Sequence, residues 1–276
     1  MVLLTFDPNQ IAHGAFVTTD TGLTCFLFVT VYCYYRYVKQ QPSIARLLLV
    51  GLAGGLALAT KHTGILIFPI LLALAICEWL LTPRATPEPS ERKRLGLLGH
   101  GGSLTAITAI SLVVLWGSYG FRYAARPAGL QLNPTSADYI AQLSRPREAK
   151  LLVTVARYHL LPESYIYGLA DVRLMDDFYS TFLLGKAYPH GVWFYFPFAI
   201  AIKSTLAFLA LLAIAIWAIA AGKLTRWREI LFLTVPPGLY LAVAMSFAHE
   251  HRGTTRTADL CLSGRTDRRS SRGARQ

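Results

Sequence analysis

The residues best suited to chemistry gather in the first twenty positions: Asp7-Pro8-Asn9, His13-Gly14 and Thr18-Thr19-Asp20. Thr and Asp are favoured helix caps, and an acid in the first turn offsets the positive helix terminus. A carboxylate at a membrane interface can equally bind a divalent ion together with a phosphate, or orient an acceptor hydroxyl. For Asp20 both readings hold together. Asp7 and Asn9 suit an Asx-type turn around Pro8 as well as a substrate contact, and His13 suits a solvated loop as well as a binding role. Lys61-His62 stands between two apolar runs, where a lysine can snorkel to the interface. Lys203 follows eleven apolar residues and precedes another apolar run. An ammonium there is costly without water or an anion, which points to a lipid phosphate. Asp176-Asp177 reads as a solvated acidic face before a metal site. His249-Glu250-His251 imitates a metal cluster but lacks the i, i+4 histidine spacing of a helical zinc site.

These residues must be positioned by an unusually apolar chain. Of 276 residues 54% are hydrophobic and only 15% charged, against about 25% charged in a soluble domain. Mean hydropathy is +0.41. This excludes an intrinsically disordered chain, which needs low hydrophobicity. Four cysteines without CxxC spacing exclude a disulfide scaffold, and Cys25, Cys33 and Cys77 lie in apolar runs as packed or lipid-facing thiols.

A spanning helix needs about 20 mostly apolar residues, and six windows qualify. They are 17–35, an ascending and a descending helix within 47–81, then 103–119, 205–221 and 230–247. The 47–81 stretch divides at Thr60-Lys61-His62-Thr63-Gly64, because a charged residue belongs at an interface. The fold class is therefore all-α polytopic membrane protein, with about six spans. The chain divides into residues 1–119 (four spans), 120–203 (a loop with juxtamembrane helices and an interfacial segment), 204–247 (two spans) and 248–276 (a basic, disordered tail).

Lys and Arg mark cytoplasmic loops. Arg36, Lys39 and Arg46, then Arg84, Arg92, Lys93 and Arg94, then Lys223, Arg226 and Arg228 fall on one side under strict alternation. The 60–64 turn and the 120–190 segment fall on the other, outer side of a multi-pass plasma membrane. Of the 27 basic residues these loops hold ten and the tail seven, so the net charge of +12 reflects topology and tail composition. No nucleic-acid partner is expected, since no motif interleaves basic with aromatic residues. Ser136 to Leu143 and Glu148 to Leu160 show helical spacing between Pro134, Pro146 and Pro162 and read as juxtamembrane helices. Residues 192–202 are too short to cross and rich in aromatics, as an interfacial or re-entrant segment would be.

Several stretches together resemble a known group. Phe6-Asp7-Pro8-Asn9, Ala12-His13-Gly14, Val17-Thr18-Thr19-Asp20, Tyr35-Arg36-Tyr37 and Leu56-Ala57-Leu58-Ala59-Thr60-Lys61 with Thr63-Gly64 look like bacterial membrane glycosyltransferases of the protein mannosyltransferase and aminoarabinose transferase superfamily. Leu183-Leu184-Gly185, Trp193-Phe194-Tyr195-Phe196-Pro197 and Ile202-Lys203-Ser204 resemble that group's later segment, which ends in lysine, threonine and proline. Lys186 departs from it where an acid is expected, and Ser204-Thr205-Leu206 replaces the threonine and proline.

The resemblance implies a GT-C fold and inverting sugar transfer. The partners are a polyprenyl-phosphate sugar donor, a protein, lipid or glycan hydroxyl acceptor, and membrane lipid. It implies that Asp20 is the carboxylate facing the general base and that Lys203 is the lysine of the later motif, while the interfacial position of Asp20 makes it the candidate ligand for a divalent metal ion. Asp7, Asn9, His13, Lys61 and Lys203 are the expected substrate contacts. Because the resemblance begins after the group's first few spans, the general base itself is expected upstream of Met1.

The group would continue past Phe247 with an asparagine, isoleucine, glycine, arginine, histidine motif, then leucine, proline and tyrosine. Residues 247–268 can be encoded so that the frame one nucleotide later reads SHMNIGVRHVLPIYVYLAALI. The tail is therefore expected to be a frameshift product, an idea that fails if the gene's own codons do not give that reading. Two rivals from other classes are a non-catalytic membrane interaction protein and a transporter or lipid flippase. The latter would call for midplane charges and internal repeats.

Overall fold

The computed structural model describes residues 11–12, 18–40, 42–81, 96–127, 130, 132–178, 181–188, 192–224 and 226–246. Helix α1 (Thr19–Lys39) carries Asp20 in its first turn and Arg36 and Lys39 in its last, the arrangement that complements the helix dipole at both ends. Its buried stripe is Leu23, Thr30, Val31, Tyr34 and Tyr37. Helix α2 (Ile44–Thr60) starts at Ser43, whose hydroxyl accepts from Arg46 N. It stops at Lys61, which is extended. A 3-10 turn (His62–Leu66) then leads into α3 (Ile67–Leu81), so the expected break at 60–64 is where one helix ends and the next begins.

Helix α4 (Leu97–Ser118) packs along α2, and α2 also packs along α1. The α2–α4 approach is close because Gly51, Gly54 and Gly55 line the contact. A Cβ on Gly51 would lie 2.6 Å from Ile110 and one on Gly54 2.8 Å from Ser111 Oγ. Ser111 Oγ donates to Gly51 O across 2.9 Å. Small residues and hydroxyl-to-carbonyl bonds are how helices associate where lipid removes the hydrophobic incentive.

After α4 the chain turns through Gly120 and Phe121, both at positive φ. It then builds α5 (Ser136–Ala141), α6 (Pro146–Arg157) and α7 (Glu163–Phe178). Thr135 caps α5 by accepting from Asp138 N, and Pro146 opens α6 where its missing N–H costs nothing. Ile140, Leu152, Ile166 and Ala170 form their shared core. Helices α5 and α6 were expected. Helix α7 was not, although Tyr165, Ile166, Leu169 and Ala170 have helical spacing.

The chain falls into two compact units, residues 1–174 with 205–239, and residues 175–204 with 240–276. The second contains a hairpin of β1 (Thr181–Leu183) and β2 (Lys186–Tyr188), with Phe182 opposite Ala187. Its two-residue turn, Leu184-Gly185, has positive φ at both positions, as a type I′ connection requires. Helix α8 (Tyr195–Lys203) follows, too short to cross, as expected for 192–202. Helix α9 (Leu206–Ala220), capped by Thr205, and helix α10 (Trp227–Ser246) complete the description.

By length and composition, His62–Leu81, Leu98–Ser118 and Trp227–Ser246 can each cross a membrane, and α2 and α9 are shorter apolar helices. Helix α1 has the length, 21 residues, with a more polar sequence. At one end of the first unit Lys39 Nζ lies 3.0 Å from Glu229 Oε1, and Arg228 Nη2 lies 2.6 Å from Glu78 Oε1. The ends of α1 and α3 and the start of α10 therefore meet.

Candidate functional site

At the opposite end of the same unit, Asp20 and Lys61 come together. Lys61 Nζ lies 2.5 Å from Asp20 Oδ1. Two local features make this possible. Lys61 is extended (φ −157°, ψ 145°), which swings it off the axis of α2. Gly22 lets α1 approach the last turn of α2, since a Cβ there would lie 3.0 Å from Thr60 Cγ2. Asp20 is 67% exposed and Lys61 36%, so the pair is open to solvent and to any ligand arriving at this end. Thr18 occupies the cap position of α1, yet its side chain makes no capping bond. Capping thus does not account for this cluster, and the helix dipole accounts for Asp20 only in part.

His62 follows. Its ring is tilted against Tyr165 of α7 with centroids 4.8 Å apart, and it lies over Gly168, where any Cβ would collide with Nε2. Tyr165 is 2% exposed, and burial pushes its phenol well above the ordinary tyrosine range. His62 Nε2, Thr18 Oγ1, Thr63 Oγ1 and Tyr165 Oη are buried without a hydrogen-bond partner among the described residues. Unsatisfied buried polar atoms are rare in native folds and call for an explanation. Thr18, His62 and Thr63 sit on the chain segments flanking Asp20 and Lys61, and Tyr165 packs against His62 from α7.

Helix α7 closes this end through a second polar set. Tyr139 Oη donates to Asp171 Oδ1 across 2.5 Å, and its ring stacks on Tyr167 at 4.4 Å. That hydrogen bond to Asp171 pushes the Tyr139 phenol up to about 12. Glu163 accepts from Ser136 Oγ at 2.7 Å and from Ala125 N at 2.9 Å. Trp116 Nε1 at the last turn of α4 donates to Leu160 O across 3.2 Å. These α7 residues escaped the reading of the sequence.

Of the expected site residues, the supporting carboxylate Asp20 and the substrate contact Lys61 are brought together. Lys203 ends α8 in the second unit, exposed. Asp7, Asn9, His13 and the His249-Glu250-His251 run lie outside the described residues, as do the side chains of Asp176 and Asp177. Among the described residues no group of three His, Cys, Asp or Glu is assembled to hold a metal ion. Around Asp20 the described donor set does not by itself suit a divalent cation, because Oδ1 is taken by an ammonium and hard cations need several oxygens.

Helices with lipid-compatible surfaces and a polar cluster at one end define an all-α membrane protein. Residues 1–123, which carry α1 to α4 and both members of the Asp20–Lys61 pair, match the family model described as dolichyl-phosphate-mannose-protein mannosyltransferase. That similarity supports a membrane glycosyltransferase in general terms. No curated protein and no solved structure matches the chain.

Proposed function

We propose that the chain works as a membrane glycosyltransferase that moves a sugar from a polyprenyl-phosphate donor to a hydroxyl acceptor on the outer side of the membrane. The observation that carries this reading is the solvent-open Asp20–Lys61 pair within the segment similar to mannosyltransferases. In the transfer the acceptor oxygen bonds to the anomeric carbon as the bond to the phosphate oxygen breaks. The electron pair stays with the phosphate, and the hydroxyl proton goes to the general base that the resemblance implies, a group distinct from Asp20. The charge that develops is on the lipid phosphate, where a preorganised cation is most useful. Lys61 supplies that cation, and Asp20 holds the ammonium at the mouth of the bundle. Lys203, in the other unit, is a separate candidate for a lipid-phosphate contact. The arrangement of basic loops supports the Lys61 end being the outer one. A divalent ion would have to draw its remaining ligands from donor phosphate oxygens.

The test is transfer of labelled sugar from polyprenyl-phosphate mannose by the reconstituted chain and by a version extended upstream to include the general base, with each substitution made in whichever of the two transfers sugar. Lys61→Met and Asp20→Asn are expected to lower the rate on the order of 10²-fold or more, with Lys61→Arg retaining part of it. Variants that transfer at the unmodified rate would remove the pair from the mechanism.

A further inference from the structure

Helix α6 presents a face that neither the fold nor the Asp20–Lys61 site uses. Its inner face packs Ala149, Leu152, Val155 and Ala156 into the core shared with α5 and α7. Its sole acid, Glu148, is engaged by Arg145 Nη1 at 3.2 Å and Arg173 Nε at 3.3 Å. The outer face is therefore purely basic. Arg147, Lys150 and Arg157 run along one exposed stripe with Thr154 between them, and none of the three forms an ion pair among the described residues. Apolar side chains flank this stripe on both shoulders. Leu151 (63% exposed) and Tyr158 (66%) stand one heptad apart on one side, and Val153 stands on the other.

The height of this helix follows from the spans. Trp116, in the last turn of a membrane-length helix, donates to Leu160 just beyond α6. Tyr123 Oη donates to Ala156 O across 3.2 Å. The C-terminal half of α6 is thereby held at the level where α4 leaves the hydrocarbon. Phe121, Leu160 and Tyr158 are exposed there, beside exposed Arg122 and Arg126. A helix with a basic stripe, apolar shoulders and a position at the end of a span meets the physical requirements for lying in the headgroup layer. Basic residues at that depth favour anionic lipids.

We propose that the outer face of α6, with Arg147, Lys150 and Arg157 at its centre, binds the headgroups of anionic phospholipid in the leaflet at the Lys61 end. This surface is independent of the transfer reaction. It would stand even if the chain moved no sugar.

The experiment places the full chain in nanodiscs of phosphatidylcholine alone or with phosphatidylglycerol added, and follows amide hydrogen exchange over residues 146–160. Native mass spectrometry after gentle extraction counts the lipid retained. Exchange over 146–160 is expected to slow when phosphatidylglycerol is present, and the effect to fade at high salt. Arg147→Gln/Lys150→Gln/Arg157→Gln is expected to abolish the lipid dependence and to lower the retained preference for phosphatidylglycerol at least about fivefold, roughly what one basic residue at an anionic surface contributes. Arg147→Lys/Arg157→Lys should keep both. Equal exchange in the two lipids, or an unchanged preference in the triple variant, would overturn the proposal.

Discussion

Arg228 at the start of α10 reaches Glu78 in the last turn of α3, with 2.6 Å between Nη2 and Oε1 and the Glu78 side chain only 4% exposed. The pair joins a helix near the end of the described chain to one formed far earlier. Phe232, one turn on, packs into the core between Tyr34 and Tyr35. A charge buried this deeply persists only with its partner. Arg228→Leu is expected to destabilise the chain by roughly 3 kcal/mol or more, because it removes a charged partner from the buried Glu78 carboxylate. Adding Glu78→Gln should recover most of that loss. Thermal unfolding in detergent distinguishes the two, and a double variant no more stable than Arg228→Leu alone would show that the ion pair is not what docks α10.

The fit between His62 and Gly168 gives a second expectation. Gly168→Ala places a methyl group against the imidazole and should cost about 1–3 kcal/mol by overpacking. His62→Ala removes the ring that creates the clash. In the double variant the cost of the alanine at 168 should largely vanish, leaving a coupling of roughly 0.5–3 kcal/mol in a thermodynamic cycle. Additive losses would mean that α7 does not pack on the Lys61 turn through this contact.

How far the sequence foretold these features depends on what each one rests on. The break at Thr60 to Gly64 was legible because a charge and a glycine interrupt an apolar run, a purely local signal. Asp20 and Lys61 were each legible as interfacial polar residues. Their pairing was not, since it depends on Gly22 admitting the end of α2, a steric fact that joins two residues 41 positions apart in the chain. Glu78 and Arg228 illustrate the same limit. The acid is hidden in an apolar stretch and the arginine counts as a loop charge until the fold brings them together. Helix α7 was missed for another reason. Its buried positions are spaced as a helix requires, but Tyr, Gly, Asp and Arg dilute the pattern, and only packing against α5 and α6 settles it.

Tyr139 supplies a pH expectation. Its phenol is held up to about 12 because the hydroxyl donates to Asp171, and the link joins α5 to α7. A folded-state value raised above the ordinary 10.0 means that the stabilisation is fully present below pH 10 and is lost as the pH climbs towards 12. Phenolate absorbance during alkaline titration should show, among several late-ionising tyrosines, a component near 12 that disappears in Tyr139→Phe. If that variant instead removes a phenol titrating near 10, the Asp171 hydrogen bond is absent in solution.

The Asp20–Lys61 pair should separate function from stability. Exposed ion pairs contribute roughly 0–1 kcal/mol, because water screens the charges and two side chains lose freedom, and this one is largely open. Asp20→Asn and Lys61→Met are therefore expected to unfold within about 1 kcal/mol of the unmodified chain, with little further change at high salt. Their sugar transfer should nonetheless collapse, because in the proposed reaction the ammonium meets the donor phosphate. The two measurements together are decisive. Loss of transfer accompanied by a large loss of stability would make the pair a structural clamp, whereas retained stability with lost transfer leaves phosphate recognition as its role.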